Sequence, residues 1–332
     1  MNKHVTPAKA TFSGANGNQL VGDVFGDKGP PVMLLHGGGQ TRHAWRSAAA
    51  ELARRGWSAY AIDQRGHGDS EWVPDGAYSF GDFAGDVKAV AAELERQHGS
   101  KPVAIGASMG GVASMLAEGE SFRDSGAHVL ASLVLVDITP RVDYEGVNKV
   151  QGFMRAHAQE GFATIEEAAD AVAEYLPHRP RPKSNEGLKK NLRLGPDGRW
   201  RWHWDPRFMQ GRKSFDPDRK LMEESMLDAA RNIKVPALLV RGGSSELVQE
   251  AHAREFLELV PHAEYVDVGG ARHMVAGDAN DHFSTAVIEF LTRSKDRRAG
   301  GAGRRNLSNP NGIAPRRRKI FYGYAETMPP AR

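Results

Sequence analysis

Val103-Ala104-Ile105-Gly106-Ala107-Ser108-Met109-Gly110-Gly111 is the stretch on which the fold turns. Its first three apolar residues read as a buried strand, and Met109 opens a small-residue run at helical spacing that reaches residue 118. Between them, Gly106-x-Ser108-x-Gly110 requires a tight strand-to-helix turn. The glycines leave room for neighbouring backbone while the serine hydroxyl projects from the tip. A glycine-rich helix start that holds phosphate has a similar look, so the pentapeptide alone leaves two readings open.

Further strands read at residues 19–25, 32–35, 58–62, 130–136, 237–240 and 265–268, and helical spacing at 44–55, 82–98, 249–259 and 279–292. This alternation predicts the α/β class: a mostly parallel twisted sheet flanked by helices, with 19–25 as an opening antiparallel strand. Open sheets of this kind carry their sites beyond the carboxyl ends of the strands. The candidates there are His36, Asp63, Ser108, Asp137 and residues 242–248. The alternation stops from 139 to 234, where 166–175 and 186–194 look helical, so this segment is expected to be an inserted helical cap. The expected core is therefore 1–138 plus 235–294, with the cap at 139–234 and a basic disordered tail at 295–332.

Composition narrows the function classes. The chain has 332 residues, 40% hydrophobic and 26% charged, which suits a folded enzyme-sized domain and excludes wholesale disorder. It has no cysteine, so disulfides, thiolate metal sites, Fe–S clusters and cysteine nucleophiles are excluded. There is no His-Glu-x-x-His pattern and no nucleotide-binding motif, so neither metal nor cofactor is expected. No apolar run approaches the ~18 residues of a membrane helix, and residues 1–12 lack the apolar core of a secretory signal, so a cytoplasmic protein without a transmembrane segment is the expectation. The net charge of +3 hides a split: residues 295–332 hold ten basic and two acidic residues, leaving the remainder at −5. No nucleic-acid binding is expected from that body, although the tail alone suits an anionic partner.

A serine attacks poorly until a base within hydrogen-bond reach takes its proton. His273 is the candidate, in the loop after the last core strand. His36-Gly37-Gly38-Gly39 follows strand 32–35, where backbone N–H groups can face a developing oxyanion; Gly38 and Met109 are the expected donors. Two carboxylates compete to orient His273. Asp137 ends the run Leu133-Val134-Leu135-Val136, and Glu246 follows strand 237–240 across Gly242-Gly243-Ser244-Ser245. Both fit the chain order serine, acid, histidine, and the turn after strand 237–240 as the more common place for the acid in that order favours Glu246.

With these residues assembled, the stretch from about 12 to 291 resembles the α/β-hydrolase superfamily, in its serine-nucleophile, esterase-like branch with a helical cap. The resemblance rests on His36-Gly37-Gly38-Gly39, on Asp63-Gln64-Arg65-Gly66-His67-Gly68-Asp69-Ser70, on the Ser108 turn and on the His273 loop. It implies that the second of these shapes a structural loop. It also implies that Ser108 separates this chain from epoxide hydrolases and haloalkane dehalogenases, which carry Asp there. Two departures stand out: Ala107 replaces a frequent His, and Glu246 lies one position beyond the commonest acid. Some small esterases resemble the pattern at 135–140 and take their acid at the position of Asp137. The expected function is cofactor-free hydrolysis of a small-molecule carboxylic ester or related acyl bond through an acyl-enzyme. Perhydrolysis, C–C hydrolysis, lyase chemistry and a non-catalytic ligand receptor are the alternatives on the same fold. Phe153 and the alternating Trp202 and Trp204 are candidate substrate-pocket walls; packing the cap onto the body is the competing role.

Overall fold

The computed structural model describes residues 6–179, 181–182, 184–210, 219–273, 275, 280–301 and 320–322. The strands are β1 (Ala8–Ser13), β2 (Gln19–Phe25), β3 (Pro31–Leu35), β4 (Ser58–Ile62), β5 (Val103–Ala107), β6 (Ser132–Val136), β7 (Leu192–Leu194), β8 (Trp200–Trp202), β9 (Ala237–Gly242), β10 (Glu264–Val268) and β11 (Ile320–Tyr322). The helices are α1 (Arg46–Arg54), α2 (Phe80–His98), α3 (Met109–Ser125), α4 (Tyr144–Ala156), α5 (Ile165–Tyr175), α6 (Arg207–Gln210), α7 (Arg219–Arg231), α8 (Glu250–Leu259) and α9 (Asn280–Gly301).

Nine strands form one sheet in the order β1-β2-β4-β3-β5-β6-β9-β10-β11. The β1–β2 and β2–β4 pairs are antiparallel and every other pair is parallel. The central strands β3, β4 and β6 are buried at every residue, which explains their unbroken apolar runs. Within β3, Met33 and Leu35 point into the layer with Phe83, Leu94 and Leu116, while Val32 and Leu34 join Trp45, Phe283 and Leu291 on the other face. Helices α2, α3, α7 and α8 thus cover one face, and α1 and α9 the other.

The cap departs from the expected all-helical unit. Residues 186–194 form a 3-10 turn (Asn185–Asn191) and then β7, which pairs antiparallel with β8 through Leu192–Trp202 and Leu194–Trp200. Gly195-Pro196-Asp197-Gly198 supplies the turn between them, and the Arg201 guanidinium closes it on Asp197. The tail boundary also moves. Helix α9 continues to Gly301, and residues 320–322 pair in parallel with β10, so ten residues assigned to a disordered tail are ordered. Three residues of high β-propensity meeting an open sheet edge account for the strand; residues 302–319 and 323–332 lie outside the described ones. No helix among the described residues is long and apolar enough to cross a membrane.

Candidate active site

Ser108 lies between β5 and α3 at φ 46°, ψ −115°, and Asp137 at the end of β6 has φ 50°. These are the two non-glycine residues of positive φ among the described residues. Each costs on the order of 1–3 kcal/mol, a strain the surrounding structure must hold. Here α3 lies directly on the sheet. A β-carbon on Gly106 would sit 2.4 Å from the Gly110 carbonyl oxygen, and one on Gly110 would sit 2.5 Å from that of Leu35. Glycine is therefore required on both sides of the serine, and the turn is fixed by contact rather than by loop chemistry.

The loop after β3 runs beside this turn: a β-carbon on Gly37 would lie 3.4 Å from Ser108 Cβ. Gly37 N–H donates to Gln40 Oε1 at 3.1 Å and Gly39 N–H to His67 Nε2 at 3.2 Å. Between them, the Gly38 N–H has no acceptor among the described residues. Met109 is the first residue of α3, where an N–H has no partner inside the helix. Two backbone donors thus flank the serine.

Three buried or half-buried histidines surround the site, and their partners separate their chemistry. His36 Nδ1 donates to Gly37 O at 2.8 Å, while Nε2 accepts from Gln64 N–H at 3.0 Å. His67 Nδ1 donates to Arg65 O at 3.0 Å, while Nε2 accepts from Gly39 N–H. Burial pushes His36 down to about 4 and His67 down to about 3, so both stay neutral and serve as braces. His273 differs, because its Nδ1 is 2.8 Å from Asp137 Oδ2 and its ring lines the cavity that holds Ser108.

The carboxylate beside His273 is Asp137, which corrects the preference for Glu246. Asp137 is fully buried and accepts three hydrogen bonds: Gly242 N–H on Oδ1 at 2.9 Å, and His273 Nδ1 and Ser245 Oγ on Oδ2, the latter at 2.5 Å. Glu246 is instead half-exposed and engaged 2.7 Å from Arg272 Nη1. Partial burial opposes its ionisation, but the Arg272 hydrogen bond prevails and holds the carboxyl below its ordinary value. The Glu246 backbone is itself pinned, since a β-carbon on Gly146 of α4 would meet its carbonyl oxygen at 2.3 Å.

The Asp63–Ser70 turn is structural, as its resemblance implied. Asp63 is buried and bonded to the Arg42 backbone and guanidinium and to Asp69 N–H, and Arg65 makes a two-pronged bond to Asp86 at 2.6 Å for each prong. Arg42 is buried among Asp23, Asp63 and Asp69, so it braces the loop rather than facing solvent or substrate. The turn also receives the cap. Gly68 N–H donates to His203 O, Asp205 N–H donates to Gly66 O, both at 2.7 Å, and Tyr78 Oη donates to Asp205 Oδ2 at 2.5 Å.

Between cap and body lies a cavity of about 630 Å³ with Ser108 and His273 in its wall. Phe153, Trp202 and Trp204 line it. Phe153 stacks on Tyr175 at 4.2 Å, Trp202 meets Phe162 edge-on, and Trp204 is buried against Phe208, so the two indoles serve the cap's own core as well. Met109, Met154, Met209, Met222 and Met226 add a soft wall. Sequence reading missed α4 and α7, and it flagged Ser245 only as part of the 242–248 segment, without a role. Asp143 as an N-cap ahead of Val147, Val150 and Met154 was a usable signal for α4; nothing in the sequence separates Ser245 from Ser244 within that segment. Among the described residues no group of three or more His, Asp or Glu is arranged to hold a metal ion.

Residues 30–279 match the family model described as alpha/beta hydrolase fold. The chain is 29% identical over 279 residues to the esterase Rv0045c of Mycobacterium tuberculosis, covering 82% of this chain and 85% of that protein. It is 27% identical to the 2-(acetamidomethylene)succinate hydrolase of Mesorhizobium japonicum, covering 79% and 88%. A crystal structure of E-2-(acetamidomethylene)succinate hydrolase superposes with a TM-score of 0.74 at 23% identity, covering 86% of this chain and 99% of that one, a likeness of fold. The match over three quarters of its length places this chain in the alpha/beta hydrolase family, as a hydrolase with esterase relatives.

Proposed function

We propose that the protein is a serine hydrolase of carboxylic esters with a bulky or extended apolar portion. The observation that carries this reading is the 2.8 Å bond from His273 Nδ1 to buried Asp137, in the wall of the cavity that also holds Ser108 on its strained turn. In this reading His273 Nε2 takes the Ser108 proton as Oγ attacks the ester carbonyl. Asp137 holds the ring in the Nδ1–H tautomer and stabilises the imidazolium that forms. Gly38 and Met109 N–H groups receive the oxyanion, and His273 returns the proton to the departing alcohol. Water, deprotonated by the same imidazole, then releases the acid from Ser108. The apolar cavity wall favours acyl or alcohol groups that desolvate readily, and the esterase relative supports ester chemistry.

The test is hydrolysis of p-nitrophenyl esters of two to twelve carbons by the full chain and by Ser108→Ala. The reading expects turnover that rises with chain length and falls at least about a thousandfold in the variant. Turnover that survives Ser108→Ala would sink it.

A further inference from the structure

The hydroxyl of Ser245 is the feature that neither the motifs nor the reaction scheme uses. A serine hydroxyl has one proton and two acceptor lone pairs. Here both lone pairs are engaged: Leu247 N–H and Val248 N–H each donate to Ser245 Oγ at 3.1 Å. The single proton therefore has one direction left, toward Asp137 Oδ2 at 2.5 Å, the short distance of a hydrogen bond to an ionised acceptor. That oxygen is the one that accepts from His273 Nδ1.

We propose that Ser245 is a positioning residue for the His273–Asp137 pair: it locks the carboxylate in plane and withdraws charge from the oxygen that faces the imidazole. Gly242 N–H holds only Oδ1, so without Ser245 the carboxylate swivels about that anchor and Oδ2 loses its fixed place under the ring. The effect on charge is separate from the effect on position. An oxygen that shares its electron density between two donors stabilises an imidazolium less than an oxygen serving one. The loop after β9 thus supplies a hydroxyl, three residues beyond the strand end at Gly242, to the carboxylate that directly follows the neighbouring strand β6. Among the described residues, Gly242 N–H and Ser245 Oγ bond Asp137 beside His273, Ser108 shares the cavity wall with His273, and the nearby charged side chains of Glu246 and Arg272 are paired with each other.

This inference rests on the proposed hydrolase reading, and the experiment separates the two. Ser245→Ala, Ser245→Thr and Ser108→Ala are compared with the unaltered protein in ester hydrolysis from about pH 5 to 9, with His273 titration followed by imidazole NMR, which needs no turnover. Ser245→Ala is expected to lower kcat about tenfold with KM within about twofold. Its acidic limb of kcat/KM, and the His273 midpoint with it, should move up by about half a pH unit. Ser245→Thr, which keeps the hydroxyl, should bring the limb back. A merely structural role in the 243–248 loop would lower the folded fraction and leave the limb where it was. A limb and midpoint unmoved in Ser245→Ala, or moved equally in Ser245→Thr, would overturn the proposal. If the alanine variant does not fold, Ser245→Gly, which also lacks the hydroxyl, takes its place: a limb moved up supports the role, and an unmoved one refutes it. Hydrolysis that persists in Ser108→Ala would defeat the hydrolase reading instead, leaving the NMR midpoint to judge Ser245.

Discussion

The carboxyl edge of the sheet has two unlike halves. At the ends of β3 to β6, His36, Asp63, His67 and Asp137 are fully buried, and each is fixed by hydrogen bonds to nearby backbone. Beyond β9 and across the cap, Glu246, Arg272 and Phe153 are partly exposed, held by an ion pair or by ring stacking. A buried carboxylate is tolerable only with its hydrogen bonds complete, so the inner half is where a charge can be held in one place. In the outer half, Glu246 and Arg272 are charges that solvent reaches, and Phe153 lines the cavity.

That contrast can be broken most sharply with two conservative substitutions. Asp137→Asn should cost about 10²–10⁴ in kcat, because the amide no longer stabilises the imidazolium or enforces its tautomer. Glu246→Gln should leave kcat within about threefold; ester kinetics of the two side by side would reverse the assignment if the losses were exchanged.

The buried histidines set the next effect, on stability. Both are neutral in the fold, with values depressed to about 4 and about 3, so the unfolded chain binds protons first as pH falls below about 6.5. Their stabilising share is complete above that pH and is lost on the way down to 4 and 3, on the order of 2 kcal/mol each by pH 4.5. Thermal unfolding followed from pH 7 to 4.5 should show a falling midpoint, and a level one would contradict the neutral assignment.

In the cap, Phe153→Ala is expected to lower kcat/KM for the ten- and twelve-carbon esters about tenfold and to leave the acetate nearly untouched, which places the residue on the acyl or alcohol path. An equal loss on every chain length would assign it to cap folding alone. The smallest effect belongs to the half-exposed Arg272–Glu246 pair, whose removal by Arg272→Ala should cost under about 1 kcal/mol in urea unfolding.

The same division explains what the sequence could convey. The Ser108 turn was legible because close contact leaves glycine as the residue that fits on either side, and His273 because it follows the last core strand. The acid was not. Strands β6 and β9 are neighbours, so a carboxylate beyond either one ends near the histidine. What decides is the positive φ of Asp137 and the pull of Arg272 on Glu246, neither of which follows from spacing. In the cap, residues 186–194 looked helical, yet Leu192 and Leu194 alternate to meet the tryptophans of β8. A hairpin that gains its stability from partners elsewhere in the cap leaves only a weak local trace.

The most direct test of the Ser108–His273–Asp137 assignment is the rate of fluorophosphonate labelling, with the adduct located by mass spectrometry, in the unaltered chain and in Asp137→Asn. The account expects a single adduct on Ser108 that forms at least about a hundredfold more slowly in the variant. An adduct on another residue, or equal rates in both proteins, would contradict it.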